Sequence, residues 1–236
     1  MQGASMANMP ISRSSSKPFT QQPVIIFDLD GTISDPKVGI VRCMNHALKA
    51  HGYPTRDEAE ISRYIGPPLD LTFQTLVKSD DPVLVASLVA TYRDRYATEG
   101  YAENTLYDGM VEVIKALAEH YPLAVCTSKR RDFAEMILAR FDLLPYFQFV
   151  NGGEIGVQKT QQLSALLHQG DIDARAIMIG DRNVDLIAAH NNGLRAIGVL
   201  WGYGDEAELS QENPAEIVGS PEALTTAIRK LAAYIE

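Results

Sequence analysis

Short runs of uninterrupted apolar residues alternate along this chain with longer stretches in which apolar residues recur three and four apart. Val24-Ile25-Ile26-Phe27, Leu123-Ala124-Val125-Cys126, Ala176-Ile177-Met178-Ile179 and Ala196-Ile197-Gly198-Val199 lack polar alternation, which predicts strands buried on both faces. Phe147-Gln148-Phe149-Val150 is a weaker fifth. Met110 to His120, Phe133 to Phe141, Gln161 to Leu167 and Val184 to Asn191 carry helical spacing between them. Strand, helix, strand in repetition predicts an α/β fold with a doubly wound parallel sheet and right-handed crossovers.

One interval breaks the rhythm. No convincing strand lies between Phe27 and Leu123, although a crossover between parallel strands needs only about a dozen residues. Val38 to His51, Leu69 to Val77 and Pro82 to Glu99 are each helical in pattern. The expectation is an all-helical cap subdomain over residues 36–107, hinged about Ser34 to Lys37 and Glu103 to Asp108, with residues 21–35 and 108–236 forming the core. Helices lying flat on the sheet are the alternative. Residues 1–20 hold five serines and no acid, too polar for a secretory signal core, and read as a disordered tail or cloning remnant, with an organelle transit segment less well supported.

Composition narrows the function classes. The 236 residues are 46% hydrophobic and 22% charged, enough to bury a sizeable core without disulfides. A net charge of −9 argues against nucleic acid or an anionic membrane surface as partner. It also looks awkward for any small anionic substrate. Cys43 and Cys126 sit in apolar stretches without ligand spacing, which fits a reducing cytoplasm. No apolar run approaches the roughly 18 to 20 residues that span a bilayer.

In open parallel sheets ligands bind beyond the carboxyl ends of the strands, so the residues after each strand are the place to look for chemistry. Asp28-Leu29-Asp30-Gly31-Thr32 follows the first strand. Its two carboxylates can hold a hard divalent cation, one of them can act as a nucleophile, and Gly31 would let the turn aim N–H groups outward. Thr127-Ser128-Lys129 after the second strand offers a hydroxyl and turn amides to a phosphate oxygen, or is a solvated turn. Gly180-Asp181-Arg182-Asn183-Val184-Asp185 supplies two further acids opening a helix. They meet the first pair if the strands are neighbours, or merely cap the helix. Lys159 stands in a loop before a helix and by itself would be a solvated charge. His46, His51, His120, His168 and His190 fall away from every motif, so a histidine mechanism has no support.

Taken together these strand ends resemble the four motifs of the haloacid dehalogenase superfamily: Asp28-Leu29-Asp30-Gly31-Thr32, Thr127, Lys159, and Gly180-Asp181 through Asp185. The resemblance implies a Rossmann-like core with the helical cap of the first subclass. Ile65-Gly66-Pro67-Pro68-Leu69 and Val199-Leu200-Trp201-Gly202-Tyr203-Gly204 resemble the phosphoglycolate phosphatase-like branch, some members of which are described as 5′-nucleotidases. The lysine-proline pair usual in the third motif is here Lys159-Thr160.

By that resemblance the chain is a Mg²⁺-dependent phosphatase of small phosphorylated metabolites, working as a monomer or homodimer. Asp28 would form an aspartyl-phosphate, and Asp30 would protonate the leaving oxygen and then activate water. Asp28, the carbonyl of Asp30, Asp181 and Asp185 would hold Mg²⁺, while Lys159 completes the charge balance. Thr127, Ser128, Lys129 and Gly31 would contact substrate. A cap that closes over the site is the part able to read the leaving group, so Arg42 on its first helix and the Gly66-Pro67-Pro68 turn are candidate contacts, with Arg42 otherwise a solvated helix residue. An acid two residues after the nucleophile argues against halide displacement, since a halide needs no proton. A sugar phosphomutase and an idle phosphate- or metal-binding regulatory module are the competing readings. The cation and Lys159 would reverse the local sign of an acidic protein, so the net charge does not exclude a phosphate ester.

Overall fold

A computed structural model describes residues 22–65, 68–154 and 156–233; the N-terminal segment 1–20 and the Gly66-Pro67 part of the proline turn fall outside them. In chain order the elements are β1 (Ile25–Phe27), β2 (Ser34–Asp35), α1 (Lys37–Ala50), α2 (Glu58–Ser62), α3 (Leu69–Val77), α4 (Pro82–Thr98), β3 (Thr105–Leu106), α5 (Met110–Ala118), β4 (Leu123–Cys126), α6 (Arg131–Arg140), β5 (Phe147–Asn151), α7 (Lys159–Gln169), β6 (Ile177–Gly180), α8 (Asn183–His190), β7 (Arg195–Val199), α9 (Glu206–Gln211), β8 (Glu216–Val218) and α10 (Pro221–Ala233).

Six strands form one parallel sheet in the order β5-β4-β1-β6-β7-β8. All five expected strands are present, the weak Phe147 run included; β8 is an addition. Successive side chains of a strand face opposite ways, so Ile25 and Phe27 join Val125, Ile179 and Ile197 under α5, α6 and α10. Ile26, Cys126, Met178 and Ala196 join α7, α8 and α9 on the other face. Covering on both faces is why the strand sequences are apolar throughout.

The chain reverses direction across the sheet at β1: it moves outward through β4 and β5, then returns to β6 on the other side. Phe27 is in register with Val125 and Ile179, so the segments leaving β1, β4 and β6 emerge side by side, the switch point where open sheets bind ligands.

Between β1 and β4, α1 to α4 pack on one another around Cys43, Met44, Leu48, Ile61, Phe73, Leu88, Tyr92 and Tyr96, with Phe133 of α6 inserted among them. The two connecting segments pair with each other. Ser34 pairs with Leu106 and Asp35 with Thr105 in an antiparallel ribbon. Among the described residues no helix is long and apolar enough to cross a membrane.

Candidate active site

Asp28 leaves β1 with its N–H bonded to the Ile179 carbonyl at 2.9 Å, which ties the first motif directly to β6. Asp28, Asp181 and Asp185 are buried, and one carboxylate oxygen from each lies within 4.8 Å of the others. Lys159 Nζ stands between two of them, 2.9 Å from Asp28 Oδ1 and in an ion pair with Asp185. Lys159 is not in a loop, contrary to expectation, but is the first residue of α7. Gln161 draws that helix back by accepting the Gln158 N–H through its side chain at 2.8 Å, so the helix begins where the ammonium is needed.

Hydrogen bonds orient two of the three carboxylates. Asp181 accepts from the Thr32 hydroxyl at 3.1 Å and from the Tyr203 N–H at 2.8 Å. Asp185 Oδ2 accepts the Arg182 N–H at 3.1 Å, so the helix-capping reading and the site reading hold at once. Burial, with the neighbouring Asp185 and Asp28 charges, pushes the Asp181 carboxyl well above the usual carboxylate range. Burial also raises Asp185, against the pull of Lys159. For Lys159, burial works to lower the ammonium, yet Asp185 and Asp28 outweigh it and hold the group above the ordinary lysine range.

Three buried carboxylates therefore face one ammonium. Asp28 Oδ1 meets Lys159 as a charge contact without a hydrogen bond. Surplus negative charge with unfilled oxygen lone pairs is the donor set of a hard divalent cation.

Asp30 is engaged by a different ammonium. Its Oδ2 pairs with Lys129 at 2.8 Å, and burial raises its carboxyl despite that ammonium. Thr127 is buried at the end of β4, its hydroxyl accepting the Lys129 N–H at 3.3 Å, while Ser128 is exposed. Gln162 braces the strand end by donating to the Thr127 carbonyl at 3.1 Å and to Asn151 at 2.7 Å.

One expectation needs correction. Gly31 does not aim its N–H at the site, for it donates to the Ser34 carbonyl at 2.8 Å, and the Thr32 and Ile33 amides turn back to Leu29. The glycine is required instead by its φ of 86° and because a Cβ there would collide with the Asp181 carboxylate. Arg42 stands on α1 as the solvated reading has it. It is largely exposed and bonded to Glu103 at 2.7 Å, a residue also clasped by Arg95.

The sequence reading missed Tyr96, whose hydroxyl accepts from Lys129 Nζ at 2.7 Å, because nothing in the pattern of α4 marks it apart from other core positions. The Trp201 to Gly204 loop packs against the first motif and also holds the site. Trp201 Nε1 donates to the Thr32 carbonyl at 3.0 Å, Gly204 N–H to the Asp181 carbonyl at 3.1 Å, and the Tyr203 hydroxyl bonds Asp35. Cys126 is a buried free thiol pushed up to about 12, chiefly by burial, and so is inert as a nucleophile.

Residues 25–199 match the family described as haloacid dehalogenase-like hydrolase. Among curated relatives, a 5′-nucleotidase from Pseudomonas aeruginosa is 36% identical over 207 residues, covering 86% of this chain and 93% of its own. A phosphoglycolate phosphatase from Vibrio parahaemolyticus is 29% identical over 215 residues, covering 85% and 94%. The crystal structure of a predicted phosphatase from Clostridium acetobutylicum superposes with a TM-score of 0.81 at 31% identity, covering 89% of this chain and 99% of that one. The family match takes in every strand end that carries an aspartate of the buried cluster, and the relatives extend over most of both chains: this chain belongs to the haloacid dehalogenase-like hydrolases.

Proposed function

We propose that this protein is a phosphatase that hydrolyses a small phosphate monoester through a covalent phosphoryl group on Asp28, with phosphoglycolate-like esters as the leading substrate class. The observation that carries the reading is the division of labour among buried acids. Asp28 sits with Asp181, Asp185 and Lys159, whereas Asp30, two residues on, turns to a different ammonium. In this reading Asp28 attacks phosphorus and the ester oxygen departs with a proton from Asp30. Water then attacks the aspartyl-phosphate as Asp30 takes its proton back. Thr127 and the turn after it orient the phosphoryl oxygens. Lys159 holds Asp28 in place and offsets the repulsion between a carboxylate and a dianionic phosphate.

Asp28, Asp181 and Asp185 would hold Mg²⁺, with the Asp30 carbonyl as a further ligand. Bound there, the cation supplies positive charge for the phosphoryl oxygens and the attacking carboxylate. Two buried free thiols, Cys43 and Cys126, fit a cytoplasmic setting.

A nucleoside monophosphate is the second substrate reading, favoured by the 5′-nucleotidase relative. The test is phosphate release from p-nitrophenyl phosphate and a panel of phosphorylated metabolites, with Mg²⁺ and with a chelator. Wild type should require the cation, and Asp28→Asn should lose at least about 10³-fold in kcat. Turnover by Asp28→Asn near that of wild type would defeat the nucleophile assignment. Isomer conversion of a bisphosphorylated sugar without phosphate release would bring the mutase reading forward. Stabilisation by Mg²⁺ with no activity on any substrate would favour an idle module.

A further inference from the structure

Two residues hold the carboxylate cluster at one end and the inserted segment at the other. Tyr203 donates its backbone N–H to Asp181 Oδ2 at 2.8 Å, while its hydroxyl bonds Asp35 in the β2–β3 ribbon and its ring packs against the core of the inserted helices. Asp35 Oδ1 also accepts the Lys37 N–H at 2.9 Å, so the oxygen that takes the tyrosine hydroxyl fixes the start of α1 as well. Arg182 donates its backbone N–H to Asp185 Oδ2 at 3.1 Å. Its Nη1 reaches the carbonyl of Ile65, 117 residues away and just ahead of the proline turn, at 3.2 Å. Neither connection is slack. Tyrosine is a stiff connector with few torsions to lose. The longer arginine is held midway, its Nε bonded at 2.8 Å to Glu208, which also accepts the Asn183 N–H at 2.9 Å.

We propose that Tyr203 and Arg182 are positioning residues that couple the carboxylate cluster to the inserted segment, so that cation binding at Asp28, Asp181 and Asp185 and docking of that segment on the core each favour the other. This rests on the cation-site part of the reading above and not on the phosphoryl chemistry. Without a cation, buried carboxylates of like charge gain by drawing apart. Asp181 cannot shift without disturbing the Tyr203 amide, nor Asp185 without disturbing the Arg182 amide. The disturbance is passed along each side chain to the ribbon and to Ile65. With their charge neutralised, the carboxylates keep the positions at which both amides bond them and both side chains reach their partners. Coupling of this kind is reciprocal, and the factor by which cation binding favours docking is the factor by which docking favours the cation. By contrast, Phe133 meets Tyr96 of the inserted helices at 5.1 Å between ring centroids, a contact in which none of the three carboxylates takes part.

The experiment uses the full chain with no substrate present. It measures the Mg²⁺ dissociation constant by titration calorimetry, and amide hydrogen exchange in chelator and in excess Mg²⁺ for the ribbon segments and for the segment ending at Ile65. In wild type the cation should slow exchange about fivefold or more in both places. Tyr203→Phe, which keeps the ring and the amide, should lose that slowing in the ribbon. Arg182→Met should lose it at Ile65, and Arg182→Lys, which keeps a donor, should recover part of it. Tyr203→Phe and Arg182→Met should each bind Mg²⁺ about fivefold or more weakly than wild type. Thermal melts report whether the variants fold, and if Tyr203→Phe does not, the Arg182 variants decide alone. A merely structural role would speed exchange equally with and without the cation and leave the dissociation constant at the wild-type value. That result in both variants would overturn the coupling and leave the phosphatase reading intact, as would a wild type that binds Mg²⁺ with no change of exchange in either segment. In one variant alone, it would remove that residue from the coupling. A wild type that does not bind Mg²⁺ would remove the cation site and the coupling together.

Discussion

Asp181 is held by the Thr32 hydroxyl and the Tyr203 amide but has no cation of its own, whereas Asp28 and Asp185 share Lys159. A buried carboxylate placed among others of like charge is a standing cost to the folded state unless a cation arrives. Asp181→Asn should therefore separate stability from function, a trade common at active sites. In chelator the variant should melt at a higher temperature than wild type. It should also lose most of the stabilisation that Mg²⁺ confers and at least about 10²-fold in kcat. Calorimetric scans with and without Mg²⁺, paired with activity, check this. A variant less stable than wild type in chelator would show that the neutral side chain costs more in lost hydrogen bonding than it relieves in repulsion.

At the scale of elements, the loop between β7 and α9 does more than connect them. It lies so close to the site that a Cβ on Gly202 would run into the Asp181 side chain and the Gly31 carbonyl. Glu208 of α9 accepts from the Arg182 side chain at 2.8 Å and from the Asn183 N–H at 2.9 Å, securing the start of α8. Gly202→Ala should thus displace Asp181 and press on the Gly31 turn. The expected result is a loss of about tenfold or more in kcat and a weaker requirement-saturating response to Mg²⁺, with the far-ultraviolet circular dichroism unchanged. Wild-type Mg²⁺ dependence in this variant would mean that the loop yields without moving the carboxylate.

For the whole molecule, the site makes stability depend on pH in a direction opposite to that of a salt-bridged carboxylate. Burial and mutual repulsion hold Asp181 and Asp185 above the ordinary carboxylate range. In the unfolded chain these acids ionise near their ordinary value, about 3.9. Above that pH the folded state keeps protons the unfolded state has lost, so their contribution to stability falls as pH rises, by at most about 1.4 kcal/mol per pH unit for each proton retained. A divalent cation competes with those protons, so its stabilising effect should grow over the same interval. Melting temperatures of chelated and Mg²⁺-loaded protein from pH 5 to pH 8 should therefore diverge. Parallel curves would indicate that the cation does not bind at these carboxylates.

Local pattern determined the parts of this protein that depend on neighbours along the chain. Apolar runs covered on both faces marked the five strands, three- and four-residue spacing marked most helices, and acids after β1 and β6 marked the chemistry, because periodicity and strand-end position are properties of adjacent residues. β8 and the β2–β3 ribbon were not legible: strands of two or three residues carry too little pattern. α10 carries the same spacing, with Leu224, Ala227, Ile228 and Leu231 on one buried face. What only the tertiary structure decided concerns residues far apart in sequence. The strand order sets β1 between β4 and β6 and so brings Asp28 to Asp185 and Lys159. Glu103 takes Arg42, and α4 delivers Tyr96 to Lys129. Partner choice of that kind is settled by packing and charge balance in three dimensions, which no spacing along the chain encodes.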